Sequence, residues 1–177
     1  FDVLVVFDRP LHMERLIEAT ERAPGVTYVE VWDVRGARLT LAGGEELQGQ
    51  LWGVPDDSRM FSPRIVSGRA LLPDDGRAIL LNSKIAADEG IRVGDTVTLT
   101  VSEEELAWTV VGLVINVNNL QRDNFVPFDT LAKELGNANR GAFVMMATEG
   151  QDFETHERII RDLRATYSAQ RLKPVFF

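Results

Sequence analysis

The chain has 177 residues, with 19 Lys plus Arg against 27 Asp plus Glu, a net charge of −8 and 45% hydrophobic residues. This length suits one domain or two closely joined lobes with a real core, and it excludes disordered, collagen-like and mucin-like chains. The acidic balance, with no run of Lys or Arg, argues against nucleic acid as a partner, and a cysteine count of zero removes disulfides, thiolate catalysis, zinc ribbons and iron–sulfur clusters.

Asp2 to Phe7 (DVLVVF) reads as a buried strand that Arg9-Pro10 breaks. Met13, Leu16 and Ile17 then recur at helical spacing up to Arg22, where Pro24-Gly25 stops the helix. Val26 to Val34 is a second strand. Arg38 to Leu41, a turn at Ala42-Gly43-Gly44 and Leu47 to Val54 read as a long hairpin, followed by a polar loop from Pro55 to Ser62. Ala78 to Leu81 is a strand, Ser83 to Glu89 a short helix that Gly90 ends, and Thr96 to Val101 and Trp108 to Val114 are strands joined by the acidic tip Ser102 to Glu105. A short helix from Asp129 to Leu135 lies between Pro127 and Gly136. Gly141 to Thr148 is a further strand, and Asp152 caps a helix reaching about Tyr167, with Phe153, Ile160, Leu163 and Tyr167 predicted on its buried stripe. Pro174 to Phe177 supplies a closing strand.

Strand, helix, strand at each end of the chain predicts an α+β fold: a split βαβ, ferredoxin-like lobe from 1–40 and 139–177, with a β-rich lobe, 41–138, inserted. The longest apolar runs, Val3 to Phe7 and Ala142 to Ala147, fall far short of the roughly 20 residues of a membrane-spanning helix. The start at Phe1-Asp2 and the apolar finish at Phe176-Phe177 read as ends cut from a longer chain.

The familiar catalytic constellations are missing from the sequence. There is no G-x-S-x-G elbow, Walker loop or G-x-G-x-x-G. His156-Glu157 starts like H-E-x-x-H, but Ile160 stands where the second imidazole belongs, so His156 is expected to be a packed or half-wet structural residue. His12 has no second histidine nearby. The pairs Asp56-Asp57 and Asp74-Asp75 and the triple Glu103 to Glu105 read as solvated turns whose members titrate alike. Trp32, Trp52 and Trp108 lie in strand patterns, where packing is the default role. The polar stretch Asn116 to Asn124 is the richest exposed segment, and Asn118, Asn119 and Arg122 are its candidates for contact with another protein. No catalytic, cofactor-binding or metal-ligating residue is expected.

One segment is more specific. Gly68-Arg69, Asp74-Asp75, the strand Ala78 to Leu81, the helix Ala86 to Gly90, Val93-Gly94-Asp95, Val110-Val111-Gly112 and Val126-Pro127 together resemble the extracytoplasmic, periplasmic core domain of MacB/FtsX-type ABC transporter permeases. Glu89 departs from the pattern, which usually has an apolar residue before the glycine. The resemblance implies a porter-type βαβ lobe carrying the β-rich insertion, in the membrane subunit of a transporter. It also implies a plasma (inner) membrane protein, this part lying outside the cytoplasm, with one apolar helix-length segment before Phe1 and about three after Phe177.

The implied partners are a cytoplasmic ABC ATPase subunit or fused domain, a second permease copy, and an external protein or small-molecule substrate. The implied role is non-enzymatic, coupling remote ATP hydrolysis to substrate export, lipoprotein release or control of an envelope partner, with no cofactor bound here. Two competing readings are a free-standing interaction or regulatory domain and a soluble enzyme. The first predicts a complete protein without membrane helices; the second predicts turnover lost when polar groups around His12 or His156 are changed.

Overall fold

The computed structural model describes residues 1–116 and 121–177. It is a mixed α+β fold in which contacts divide the chain into two units, Phe1–Asp33 with Asn137–Phe177, and Val34–Gly136.

In the first unit, β1 (Val3–His12), the first part of β2 (Val26–Thr40), β9 (Arg140–Thr148) and β10 (Pro174–Phe176) lie in the order β10-β1-β9-β2. Each neighbouring pair is antiparallel. Val3, Val5 and Phe7 alternate inward along β1, as the two-residue period of a half-buried strand requires. They pack with Val29, Val31, Val144 and Met146 against α1 (Met13–Glu21) and α4 (Phe153–Ala169). β1 does not stop at Arg9-Pro10. A register shift between Val6 and Leu11 absorbs the proline in a bulge, where the ladder does not need its missing N–H, and pairing resumes at Leu11 and His12.

The stripe of α4 also differs from expectation. Its buried residues are Ile159, Leu163 and Tyr167 at a strict spacing of four, whereas Ile160 is only partly buried and Phe153 is 80% exposed. At about 100° per residue, Phe153 sits roughly 80° around the helix from Leu163. Tyr167 meets Phe7 edge-on with ring centroids 5.1 Å apart, and its hydroxyl is bonded to Thr20, whose Oγ1 donates to the Leu16 carbonyl at 2.6 Å.

In the second unit, β2 continues into β3 (Glu46–Val54), and the other elements are β4 (Arg64–Gly68), β5 (Ala78–Asn82), α2 (Ser83–Glu89), β6 (Thr96–Val101), β7 (Glu104–Ile115), β8 (Asp123–Pro127) and α3 (Phe128–Glu134). The order β2-β3-β8-β5-β7 is closed by β6, which pairs with β2 and with residues 104–109 of β7, so six strands form a ring, and β4 pairs with β7 further along, at residues 112–115. Closure leaves the ring strands with few free edges. Leu39, Leu51, Ile79, Leu99, Trp108 and Val126 fill it. β3 runs parallel to β8, and β5 parallel to β7.

β4 and β8 were not expected as strands, because a five-residue segment with a polar start is defined by its neighbours rather than by its own pattern. The acidic tip is also tighter than predicted. Only Ser102 and Glu103 turn, both at positive φ, while Glu104 and Glu105 already pair with Val101 and Thr100.

Candidate functional site

The residues that carry the sequence resemblance prove to interlock the second unit. Gly68 faces Gly112 across β4 and β7, and Arg69 N–H donates to the Val111 carbonyl at 3.0 Å. A Cβ at Gly68 would collide with the Val111 carbonyl, and one at Gly112 with the Arg69 carbonyl, so only glycine allows the two backbones to approach this closely. The Val93-Gly94-Asp95 turn is tied to β7 through Gly94 N–H to Val110 O (2.8 Å) and Val110 N–H to Asp95 O (2.9 Å). Asp95 Oδ2 in turn accepts from Arg92 N–H at 2.8 Å. Gly90, at φ 68°, ends α2 in the left-handed conformation, and Asn82 caps its start by accepting from Lys84 N–H. These positions hold the fold together.

One member of each acidic pair departs from the expected solvated turn. Asp75 accepts both Arg69 nitrogens at 2.7 and 3.0 Å and the Leu72 N–H at 2.8 Å. Its carboxyl is therefore held below the usual range, chiefly by the Arg69 hydrogen bond. It is not a solvated turn residue. Asp56 moves the other way: burial pushes it up first, then the carboxylates of Asp129, Asp74, Asp57 and Asp75. Asp56 borders a cleft of about 150 Å³ at the carboxyl ends of the parallel strands β3 and β8, lined by Val54, Phe61, Leu72 and Pro127 among others. Among the described residues, no group of three or more His, Asp or Glu side chains is placed to hold a metal ion.

The two histidines occupy different settings. His12 is exposed and takes a hydrogen bond from Arg140 at 3.2 Å. His156 is half-buried in the first turns of α4, with Nε2 3.0 Å from the Gly150 carbonyl and 3.2 Å from Thr148 Oγ1, so it ties the helix to the end of β9. Trp108 is fully buried inside the ring, and its N–H meets no acceptor among the described residues. Trp32 is buried and donates to Glu30 Oε2 at 2.8 Å, while Trp52 is half-buried.

Of the candidate contact residues, Asn118 and Asn119 lie outside the described residues, and Arg122 presents an exposed side chain. A pair of buried asparagines, not singled out from sequence, holds the flanks of this stretch. Asn82 Nδ2 donates to the Asn116 carbonyl at 3.0 Å, and Asn124 Nδ2 donates to the Arg122 carbonyl at 3.2 Å. Asn124 Oδ1 accepts the Asn82 N–H at 2.9 Å and links the two. Gln50 N–H also bonds the Arg122 carbonyl, which packs against Gly49 where no Cβ would fit. Asparagine, with both donor and acceptor on one short side chain, suits such a relay.

No family model and no curated protein matches the sequence. Solved structures do. The periplasmic region of MacB from Actinobacillus actinomycetemcomitans superposes with a TM-score of 0.65 at 13% identity, over 99% of this chain and 88% of that one. The extracellular domain of the noncanonic ABC-type transporter YknZ from Gram-positive bacteria gives 0.68 at 16% identity, over 98% and 97%. The domain resembles MacB/FtsX-type domains. At these identities the likeness is one of fold, and both MacB/FtsX-type neighbours are extracytoplasmic parts of transporters. Among the described residues, no helix is long and apolar enough to cross a membrane.

Proposed function

We propose that this chain is the extracytoplasmic domain of a MacB/FtsX-type ABC transporter permease subunit. It would lie outside the plasma (inner) membrane and, without making or breaking bonds itself, pass motion driven by a cytoplasmic ATPase to an exported substrate or an envelope partner. The observation that carries the reading, beside the likeness of fold, is the pairing of the two chain ends. Leu4 N–H donates to the Phe177 carbonyl at 3.1 Å, and Phe177 N–H donates to the Leu4 carbonyl at 2.8 Å. Any chain beyond either end therefore leaves the first unit side by side, as a domain set between two membrane helices requires. The order β10-β1-β9-β2, all antiparallel, supports reading that unit as a split βαβ, porter-type lobe, with the ring unit inserted between the first part of β2 and β9.

For such a domain to transmit work, its two states must differ in affinity for the external partner, here another protein or a small molecule, with a second permease copy completing the assembly. Asn118, Asn119 and Arg122 are our candidates for the partner contact, a role supported by the asparagine relay that pins the Asn116 and Arg122 carbonyls. The test uses the absence of cysteine from this domain. Arg122→Cys, in the full-length gene product stripped of other cysteines, should react in spheroplasts with a membrane-impermeant maleimide. Its rate should change when the ATPase is disabled. Labelling only after lysis overturns the location, and a rate indifferent to ATPase state overturns the coupling.

A further inference from the structure

The cleft beside Asp56 lies wholly within the ring unit, and the fold holds its lining in place. Phe61 packs at a tilt on Phe125 with ring centroids 4.7 Å apart, and its N–H donates to Ser58 Oγ at 3.1 Å. The Leu72 N–H is fixed by the Asp75 carboxylate, which is itself bound to Arg69. Thr130 Oγ1 donates to the Asp75 carbonyl at 3.3 Å and ties that turn to α3. A lining held this way is already ordered when a guest arrives. Yet the Leu72 side chain is 51% exposed, so its apolar surface is offered to the cleft and to solvent instead of to the core.

Size and charge define the guest. A volume of about 150 Å³ takes one benzene-sized group, well below the roughly 300–1,000 Å³ of sites that enclose a whole small molecule. The occupant is therefore a single apolar side chain, of the kind that anchors a protein partner. Asp56, Asp57, Asp74 and Asp129 have no ion pair among the described residues. Burial, followed by the carboxylates of Asp129, Asp74, Asp57 and Asp75, pushes the Asp56 carboxyl up. The cations on the segments that frame the cleft are mostly committed: Arg69 to Asp75, Arg77 to Glu134 with Lys133 acting on the same carboxylate, and Arg59 to a contact of its own. Arg64, at the start of β4 opposite Ile115, is left against these carboxylates. A cation carried by a partner relieves the repulsion at Asp56, and an acidic segment worsens it.

We propose that this cleft is a docking site for the external protein partner, which inserts one apolar side chain and sets a neighbouring lysine or arginine against Asp56 and Asp129. This deepens the proposed function and rests on it, since that reading supplies the extracytoplasmic setting in which a protein partner meets the ring unit. Arg122 and Pro127 stand at opposite ends of β8, about 17 Å apart along the strand, so the cleft is a second contact beside the one proposed at Arg122.

The experiment presents the full-length gene product, in lipid nanodiscs, to a phage library of random short peptides and measures binding of the enriched sequences by fluorescence anisotropy. Those sequences are expected to place an aromatic or aliphatic residue next to Lys or Arg. Their binding should weaken as salt rises and fall about tenfold in Asp56→Asn with Asp129→Asn, and again in Leu72→Ser. These side chains are exposed, so the variants should keep the wild-type melting temperature, and Val93→Ser, an exposed apolar position away from the cleft lining, should bind as the wild type does. Enrichment of acidic or uncharged peptides, no enrichment, or binding indifferent to the cleft variants overturns the proposal. Benzylammonium binding as tightly as the peptides also overturns it, by making the cleft a small-molecule site. A cleft that binds no peptide leaves the maleimide result at Arg122→Cys standing, whereas labelling there only after lysis removes the transporter reading whatever the peptides do, so the two failures are distinguishable.

Discussion

The two units solve the same burial problem in different ways. The first lays two helices on one face of an open four-stranded sheet whose strands come from opposite ends of the chain. The second closes six strands from one continuous stretch into a ring and fills it with side chains. The recognisable motif residues all fall in the ring unit, where they serve as interlocks. Exposed apolar side chains occur in both units, Phe153 in the sheet unit and Val66, Leu72, Val93 and Ile115 in the ring unit.

The largest effects should come from emptying the ring. Trp108→Ala is expected to cost about 3–5 kcal/mol, and Trp108→Phe much less, since the indole N–H gives up no hydrogen bond. If the units are independent in stability, denaturant melting followed by hydrogen exchange will show protection lost in Val34–Gly136 and retained around Leu163. Uniform loss would erase the contrast between the units. Next comes Gly68→Ala, which must both hold φ at 73° and clear the Val111 carbonyl, for a cost of roughly 3 kcal/mol. Gly94→Ala shares the positive φ but meets open space, so its cost should be about 1 kcal/mol. Equal melting shifts for the two would deny the close approach at Gly68.

A smaller effect belongs to the sheet unit. Burial pushes the Tyr167 hydroxyl up to about 12, partly offset by its bond to Thr20. The unfolded chain ionises near pH 10 while the folded one stays neutral, so stability present below pH 10 should fall by roughly 2 kcal/mol as pH rises towards 12. Tyr167→Phe should flatten this alkaline slope, and an unchanged slope would assign it elsewhere. The smallest effect returns to the ring unit. Asp75→Asn loses the Arg69 bridge, whose arginine is 44% exposed, so about 1 kcal/mol is expected. Because the Asp75 carboxyl is held low, its contribution is present above about pH 4 and lost as pH falls further, a dependence the variant should lack.

Local chemistry explains what could be read from the chain beforehand. α2 and its end at Gly90, the strand Thr96–Val101 and the cap at Asp152 each follow from nearby residues. Ring closure does not, because β6 meets β2 only through pairs such as Leu39 with Leu99, far apart in sequence. β8 hid inside a polar stretch because its burial is imposed by β3 and β5. The ion pair at Asp75 depends on which carboxylate Arg69 reaches, and the asparagine relay joins positions 82 and 124, a separation no short motif spans. Phe153 lies off the buried stripe of α4 because apolar spacing alone does not say where a helix first meets its sheet.

The discontinuity of the first unit also dictates a sequence of events during synthesis. β1 has its partners in β9 and β10, so the opening strand leaves the ribosome long before the segments that shelter it exist. The ring unit, drawn from one uninterrupted stretch, is free to fold in the interval. Until β9 and β10 are made, the Val3 to Phe7 strand has none of its sheet partners, so its apolar side chains wait longest for their burial.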